Sequence, residues 1–166
     1  MEFRIAGTVN DSIVDGPGFR FTVFTQGCSH CCPGCQNPQT WDPEGGETGD
    51  VDDLLVRIDK NPLLRGVTLS GGEPFEQPEP MAELARECQK RGLDVWCYTG
   101  YLYEDIAAGS LGDEALALLE ACDVLVDGPY IEAEKTLGLR WRGSANQRVI
   151  DVPASLAAGV AVELEV

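Results

Sequence analysis

Gly66-Val67-Thr68-Leu69-Ser70-Gly71-Gly72-Glu73-Pro74 runs from a short apolar, β-branched segment straight into a glycine loop. Such a run, bounded by turn residues, reads as a strand rather than a helix. Beyond the loop, Met81, Leu84, Ala85 and Cys88 recur at helical spacing until Arg91-Gly92 stops the run. The unit is strand, glycine loop, helix. It recurs with Leu93 to Tyr98 as a strand, Glu114 to Ala121 as a helix, and Asp123 to Val126 as a strand closed by Asp127-Gly128-Pro129. Upstream, Val51, Leu54, Leu55 and Ile58 mark an amphipathic helix, with Asp50, Asp52 and Asp53 at the end where the helix dipole favours acids. Strands separated by helices imply parallel neighbours, because a parallel pair needs a crossover.

Outward from this centre the pattern is less regular. Phe19 to Thr25 reads as the first core strand, feeding a cysteine-rich loop. Arg148 to Ile150 and Val160 to Val166 read as terminal strands, and Pro43 to Gly49 as a loop. No repeat, low-complexity tract or linker interrupts the 166 residues, so a single α/β domain over 1–166 is expected. It has fewer βα units than an eight-fold barrel, which takes about 250 residues, and so reads as a partial (βα) barrel with a parallel sheet. Ligands of open parallel sheets sit at the carboxyl ends of the strands. Cys28 to Cys35 follow one strand and Gly71 to Pro74 another, so both are expected on one rim.

Twelve basic against 28 acidic residues give a net charge of −16. This opposes the phosphate attraction behind most nucleic-acid binding and repels anionic membranes, so neither is an expected partner. No apolar run approaches the roughly 20 residues of a membrane span, and the amino terminus lacks the basic and apolar regions of a signal peptide. Of seven cysteines, four (Cys28, Cys31, Cys32, Cys35) fall within eight consecutive residues. A disulfide framework would spread them out and would not place two side by side; metal or redox chemistry in a reducing cytoplasm is the better account.

Cys28, Cys32 and Cys35 are spaced C-x3-C-x2-C. Three thiolates can anchor three irons of a cubane cluster and leave the fourth without a protein ligand, and an open metal position is where a substrate binds. Zinc competes, through Cys28, His30, Cys31 and Cys35, although no second ligand pair from a separate turn is present. A closed electron-transfer cluster competes as well, although the ferredoxin run C-x2-C-x2-C-x3-C is not matched. Cys31 adjoins Cys32, so the two cannot easily both point inward. Cys88, Cys97 and Cys122 sit at core positions, and His30 reads either as tuning the cluster through a hydrogen bond or as a solvated loop residue.

The segment Gly27-Cys28-Ser29-His30-Cys31-Cys32-Pro33-Gly34-Cys35-Gln36-Asn37, with Thr40-Trp41-Asp42 and Ser70-Gly71-Gly72-Glu73-Pro74, resembles the radical S-adenosylmethionine (SAM) superfamily. Val14-Asp15-Gly16-Pro17-Gly18-Phe19-Arg20 is similar to the glycyl-radical-enzyme activating proteins. The Cys-Pro-Gly-Cys ending, Thr99-Gly100-Tyr101, Val126-Asp127-Gly128-Pro129 and Trp141-Arg142-Gly143-Ser144-Ala145-Asn146-Gln147 look like the activators of anaerobic (class III) ribonucleotide reductase. The match runs from about residue 3 to about residue 150.

This resemblance implies a 4Fe-4S cluster on Cys28, Cys32 and Cys35, and SAM as co-substrate. It implies reductive cleavage to a 5'-deoxyadenosyl radical, hydrogen abstraction from a glycine of the reductase's glycyl-radical subunit, and a low-potential electron donor such as flavodoxin or ferredoxin. Gly71 and Gly72 would let backbone approach the ligand. Glu73 would offer a carboxylate to the methionyl ammonium, Pro74 completes the loop, and Asn37 would hydrogen-bond the cluster or SAM. Gly34 stands where many superfamily members carry an aromatic residue, which leaves the adenine contacts unassigned. Asp15 to Arg20 and Trp141 to Gln147, the latter through Arg142 and Asn146, are expected to border the rim and dock the glycine loop of the reductase. Two other functions stay open: radical chemistry on a small molecule, as in deazapurine-forming relatives, and a non-catalytic iron-sulfur or zinc protein for electron transfer or scaffolding.

Overall fold

Residues 1–165 are described by a computed structural model. Its sheet is built from β1 (Glu2–Ser12), β2 (Arg20–Thr25), β3 (Glu47–Asp50), β4 (Gly66–Gly71), β5 (Asp94–Tyr98), β6 (Val124–Asp127) and β7 (Arg148–Asp151). The strands lie in the order β3-β1-β2-β4-β5-β6-β7. The central four, β2, β4, β5 and β6, run parallel. At the two sides, β3, β1 and β7 pair antiparallel, so the parallel sheet read from the sequence is the middle of a mixed one. The crossovers carry α1 (Val51–Asp59), α2 (Pro78–Lys90), α3 (Tyr103–Ala107) and α4 (Asp113–Glu120), and α5 (Val152–Ala158) follows β7.

The period-2 alternation of the strands divides the interior. Val67, Leu69, Val95, Cys97 and Leu125 face the helices, where Leu54, Ile58, Met81, Leu84, Cys88 and Leu118 complete the main core. Trp96, Val124, Val126 and Val149 face the other way and form a second cluster with Tyr98, Trp141 and Leu164. Burial on both faces explains why the parallel strands read as near-continuous apolar runs. The acids at the start of α1 act as expected: Asp50 caps the helix, its carboxylate accepting from Asp52 N at 2.8 Å.

Two expectations about the ends change. Where a strand over Val160 to Val166 is expected, the described residues up to Glu165 make only an isolated bridge, Glu163 to Ile150, flanked by Asp151 N donating to Val162 O (2.9 Å) and Leu164 N to Val149 O (2.7 Å), while Val162 N donates to Ser155 Oγ at 2.8 Å. Val166 lies outside the described residues. Pro43 to Gly49 is not all loop, because Glu47 to Gly49 belong to β3 and pair with β1.

The segment Asp15 to Arg20 is also not at the rim. Arg20 pairs in register with Gly66, and Gly66 with Asp94, the first residues of their strands, at the end of the sheet opposite the cysteine loop. Arg20 is fully buried. Its guanidinium donates to Thr68 Oγ1 (2.8 Å), Pro17 O (3.0 Å), Val67 O (3.0 Å) and Asp94 Oδ1 (2.5 Å). Asp15 turns inward too, accepting from Ser12 Oγ at 2.6 Å and Thr22 Oγ1 at 3.1 Å. A Cβ on Gly16 would lie 2.8 Å from the Arg20 side chain, so glycine there lets the segment close over the guanidinium. This segment plugs the helix-free face of the sheet. Arg20→Ala, which removes the buried donor to the Asp94 carboxylate and three other acceptors, is expected to cost about 3 kcal/mol and lower Tm by roughly 6–12 °C. Iron uptake at the far end should stay unchanged; a parallel loss of iron in a melt-and-reconstitution comparison would contradict this placement.

Candidate active site

Four strand ends converge. Beyond β2 lies the cysteine loop, beyond β4 Gly72-Glu73, beyond β5 Thr99-Gly100, and beyond β6 Gly128. Together they wall a cleft of about 220 Å³ whose lining includes Cys28, His30, Cys32, Cys35, Asn37, Gly71, Gly72 and Glu73, with Trp41, Tyr98, Tyr130, Gly143 and Gln147 among the residues around them. Pro74 is buried behind this wall, opening a short 3-10 turn, Pro74–Glu76. Cys31 is exposed, has a positive φ of 49° and takes no part in the lining. Among the described residues, no three His, Cys, Asp or Glu side chains are gathered tightly enough for a single metal ion. The three thiols instead stand around one larger void.

The cysteine loop is held by its backbone. Gly27 N donates to Thr40 O (2.7 Å), Cys28 N to Trp41 O (3.1 Å) and Glu73 N to Gly27 O (2.8 Å). Gln26 pins the return segment, its amide donating to Gln39 O and Asp42 O. Ser29 donates from its backbone N and its hydroxyl to Glu76 Oε1. Asn37 N donates to Cys35 Sγ at 3.4 Å. Burial pushes the Cys28 thiol up to about 11, so iron has to displace its proton on binding.

The glycines of the loop answer to the protein before any ligand. A Cβ on Gly71, whose φ is +120°, would overlap Thr25 N and O. One on Gly72 would come within 2.6 Å of Thr25 O and 2.7 Å of Gly27 O. Their bareness brings the β4 loop against the stem of the cysteine loop.

Glu73 departs from the expectation of a carboxylate held open for an ammonium. It is 1% exposed. Its Oε1 accepts from His30 Nε2 (2.7 Å), Thr99 Oγ1 (2.9 Å) and Gly100 N (2.7 Å), and its Oε2 from Phe75 N (3.1 Å). The hydrogen bond to Glu73 raises the His30 pKa. The ring stands edge-on to Tyr101 at 4.5 Å and fills the space a Cβ on Gly100 would take, 2.7 Å away. Thus the lone histidine of the chain, read from sequence as a cluster-tuning or solvated residue, straps the cysteine loop to the ends of β4 and β5. Sequence gave no sign of that pairing, since 43 residues separate the partners.

Trp141 to Gln147 is likewise more architectural than expected. Gln147 Oε1 accepts from Gly143 N and Ser144 N while its amide donates to Gly128 O at 3.0 Å. Asn146 donates to Pro129 O at 2.8 Å, and Trp141 packs edge-on against Trp96 at 5.8 Å. Gln147 and Asn146 thus fasten the wall beyond β6, while Arg142 is half-buried, its Nε without a partner among the described residues. Asp127 and Gly128, quoted as a motif but not as a site, could have been found by the rule that located the other loops. Asp127 is buried and salt-bridged to Arg148 at 2.5 Å, and Gly128 lines the cleft.

Two observations bear on what the cleft could hold. Its three thiols are soft donors suited to iron-sulfur chemistry. The indole Nε1 of Trp41, a lining residue, is buried without an acceptor among the described residues, a loss that a bound acceptor would remove. Both fit an iron-sulfur group with a polar co-substrate.

Residues 14–150 match the model of the 4Fe-4S single cluster domain, so the class of this fold and site is an iron-sulfur domain holding one cluster. Curated relatives narrow it. The chain is 39% identical over 145 residues to the anaerobic ribonucleoside-triphosphate reductase-activating protein of Vibrio cholerae, covering 81% of this chain and 89% of that one. Identity is 37% to the protein of that name from Salmonella typhimurium and 35% to that from Escherichia coli, each alignment covering 82% of this chain and 91% of the relative. This chain belongs to the family of anaerobic ribonucleoside-triphosphate reductase-activating proteins. Among solved structures, QueE from Escherichia coli superposes with a TM-score of 0.48 at 19% identity, over 60% of this chain and 53% of that one. No helix among the described residues is long and apolar enough to cross a membrane.

Proposed function

We propose that this chain activates an anaerobic ribonucleoside-triphosphate reductase by installing a glycyl radical on its catalytic subunit. One observation carries the reading: three thiols spaced C-x3-C-x2-C and the Gly71-Gly72 loop wall a single cleft, in a chain of this family. Cys28, Cys32 and Cys35 would hold the cluster, with SAM beside it in the same cleft. When bound, the cluster would supply the electron for reductive cleavage of SAM, the chemistry that removes a hydrogen atom from the glycine.

The chain's own part is to hold and to shield. Gly71, Gly72 and Pro74 present loop backbone to the methionyl end, and Glu73 fixes that loop from beneath. Asn37 supports the Cys35 thiolate, and Trp41 offers an N–H to the bound group. Tyr130, Gly143 and Gln147 narrow the mouth against water. A low-potential donor such as flavodoxin or ferredoxin supplies the electron in the cytoplasm, with no nucleic acid or membrane taking part.

Anaerobic reconstitution with iron and sulfide, then dithionite and SAM, should yield 5'-deoxyadenosine only when all components are present. A fully loaded cluster that leaves SAM intact would overturn the reading.

A further inference from the structure

The segment between β6 and β7 rises from the wall of the cleft and carries a surface unlike the rest of the chain. Tyr130, Gly143 and Gln147 at its base line the cleft. A backbone bridge between Lys135 and Ser144 closes it into a projecting loop. At the tip, Leu137 is 93% exposed, with Leu139 at 40% and Ile131 at 38% nearer the base. Lys135 to Arg142 contains three of the chain's twelve basic residues and no acid, so it carries +3 in a protein of −16. Among the described residues, no carboxylate lies within ion-pair distance of Lys135, Arg140 or Arg142. The loop's foot also stands on the cysteine loop: the Glu132 carboxylate occupies the place a Cβ on Gly34 would take, within 2.6–2.9 Å. This gives Gly34, where many superfamily relatives carry an aromatic residue, a steric reason.

We infer that Ile131, Leu137, Leu139 and Arg140 form the docking surface for the protein substrate, which presents an acidic rim around an apolar patch beside its reactive glycine. The inference rests on the function proposed above and moves the docking role from Asn146 and Asp15–Arg20, which point inward, to the tip of the loop. An apolar centre ringed by arginine is the usual composition of a protein interface. A glycine that gives up its hydrogen inside the cleft has to arrive through the mouth, so its carrier lies against whatever stands there. The basic tip sets which carriers fit, since its three cations stand beside the mouth of the cleft in a chain that is strongly acidic as a whole. A second copy of this chain is a poor occupant. Two bodies of −16 would repel each other on approach.

The test is the double variant Leu137→Asp/Arg140→Glu, whose changes fall at exposed tip positions. Binding to the reductase subunit is titrated calorimetrically without SAM, and 5'-deoxyadenosine is measured separately without reductase. The affinity should fall at least 30-fold, the loss expected of a central contact, while iron content and uncoupled 5'-deoxyadenosine stay within about twofold of wild type. Wild-type affinity should weaken with salt and the variant's should not. Unchanged reductase affinity overturns the docking surface. So does a shift from dimer to monomer in sedimentation without loss of reductase binding, which would make the tip a self-interface. If wild type binds the reductase through this tip yet makes no 5'-deoxyadenosine, the proposed chemistry fails and the docking surface stands. The milder Leu137→Ser, compared by thermal melt, checks that the fold is intact.

Discussion

Alanine at Cys28, Cys32 or Cys35 is expected to abolish the reconstituted cluster, while alanine at Cys31 leaves it in place. Wild type should retain about four irons per chain, the content of one cubane, and each of the three variants a small fraction of that. Each lost thiolate exposes an iron to water in a site with no spare thiol among its lining residues: Cys31 is exposed and stands outside the lining, while Cys88, Cys97 and Cys122 are buried in the core. Iron and sulfide analysis with the visible absorbance of the cluster reads the result. Equal losses at Cys31 and Cys32 would show that the ligand set is misassigned.

Removing the Glu73 carboxylate should do more than weaken one ligand contact. Glu73→Ala leaves His30 Nε2, Thr99 Oγ1, Gly100 N and Phe75 N without their acceptor in a buried site. The expected cost is about 3–5 kcal/mol, or a fall in Tm of roughly 6–20 °C. Iron content should fall with it, because the strap between the cysteine loop and β5 is gone. His30→Ala should reproduce part of this loss, and Glu73→Gln, which keeps one oxygen for the three donors at Oε1, should recover much of it. A carboxylate serving only the ammonium of SAM predicts otherwise: full cluster, native Tm and a 10- to 150-fold loss of SAM affinity, the range for a charge-assisted hydrogen bond. Calorimetry on the loaded variant beside its thermal melt separates the two.

What sequence revealed here, and what it hid, follows from the range over which each signal acts. The central strands and α1, α2 and α4 announced themselves because periodicity is local and their apolar faces are continuous. β1 was missed since only its first half alternates into the core, through Phe3 and Ile5, before Gly7 and the exposed Val9 break the pattern. β3 has four residues and no buried one, so its pairing with β1 leaves no hydrophobic trace. α3 and α5, of five and seven residues, are too short for a helical period to show. The cysteine and glycine loops could be placed on one rim because strand direction alone sets which ends meet. Pairings across distant segments, such as Glu73 with His30, Arg20 with Asp94 and Glu132 over Gly34, depend on side-chain reach in three dimensions, which no spacing along the chain encodes. For that reason the motif residues Asp15, Arg20 and Asn146 read as outward-facing when they are internal fasteners.

If this chain activates its reductase as proposed, a hydrogen atom passes from a glycine of the reductase to the deoxyadenosyl group formed in this cleft. Electron paramagnetic resonance on the loaded protein, mixed anaerobically with SAM, reductant and a reductase subunit grown on glycine deuterated at Cα, measures it together with mass analysis of the nucleoside. A glycyl radical on the reductase and one deuterium in the 5'-deoxyadenosine are expected. Unlabelled 5'-deoxyadenosine with no glycyl signal would contradict that transfer.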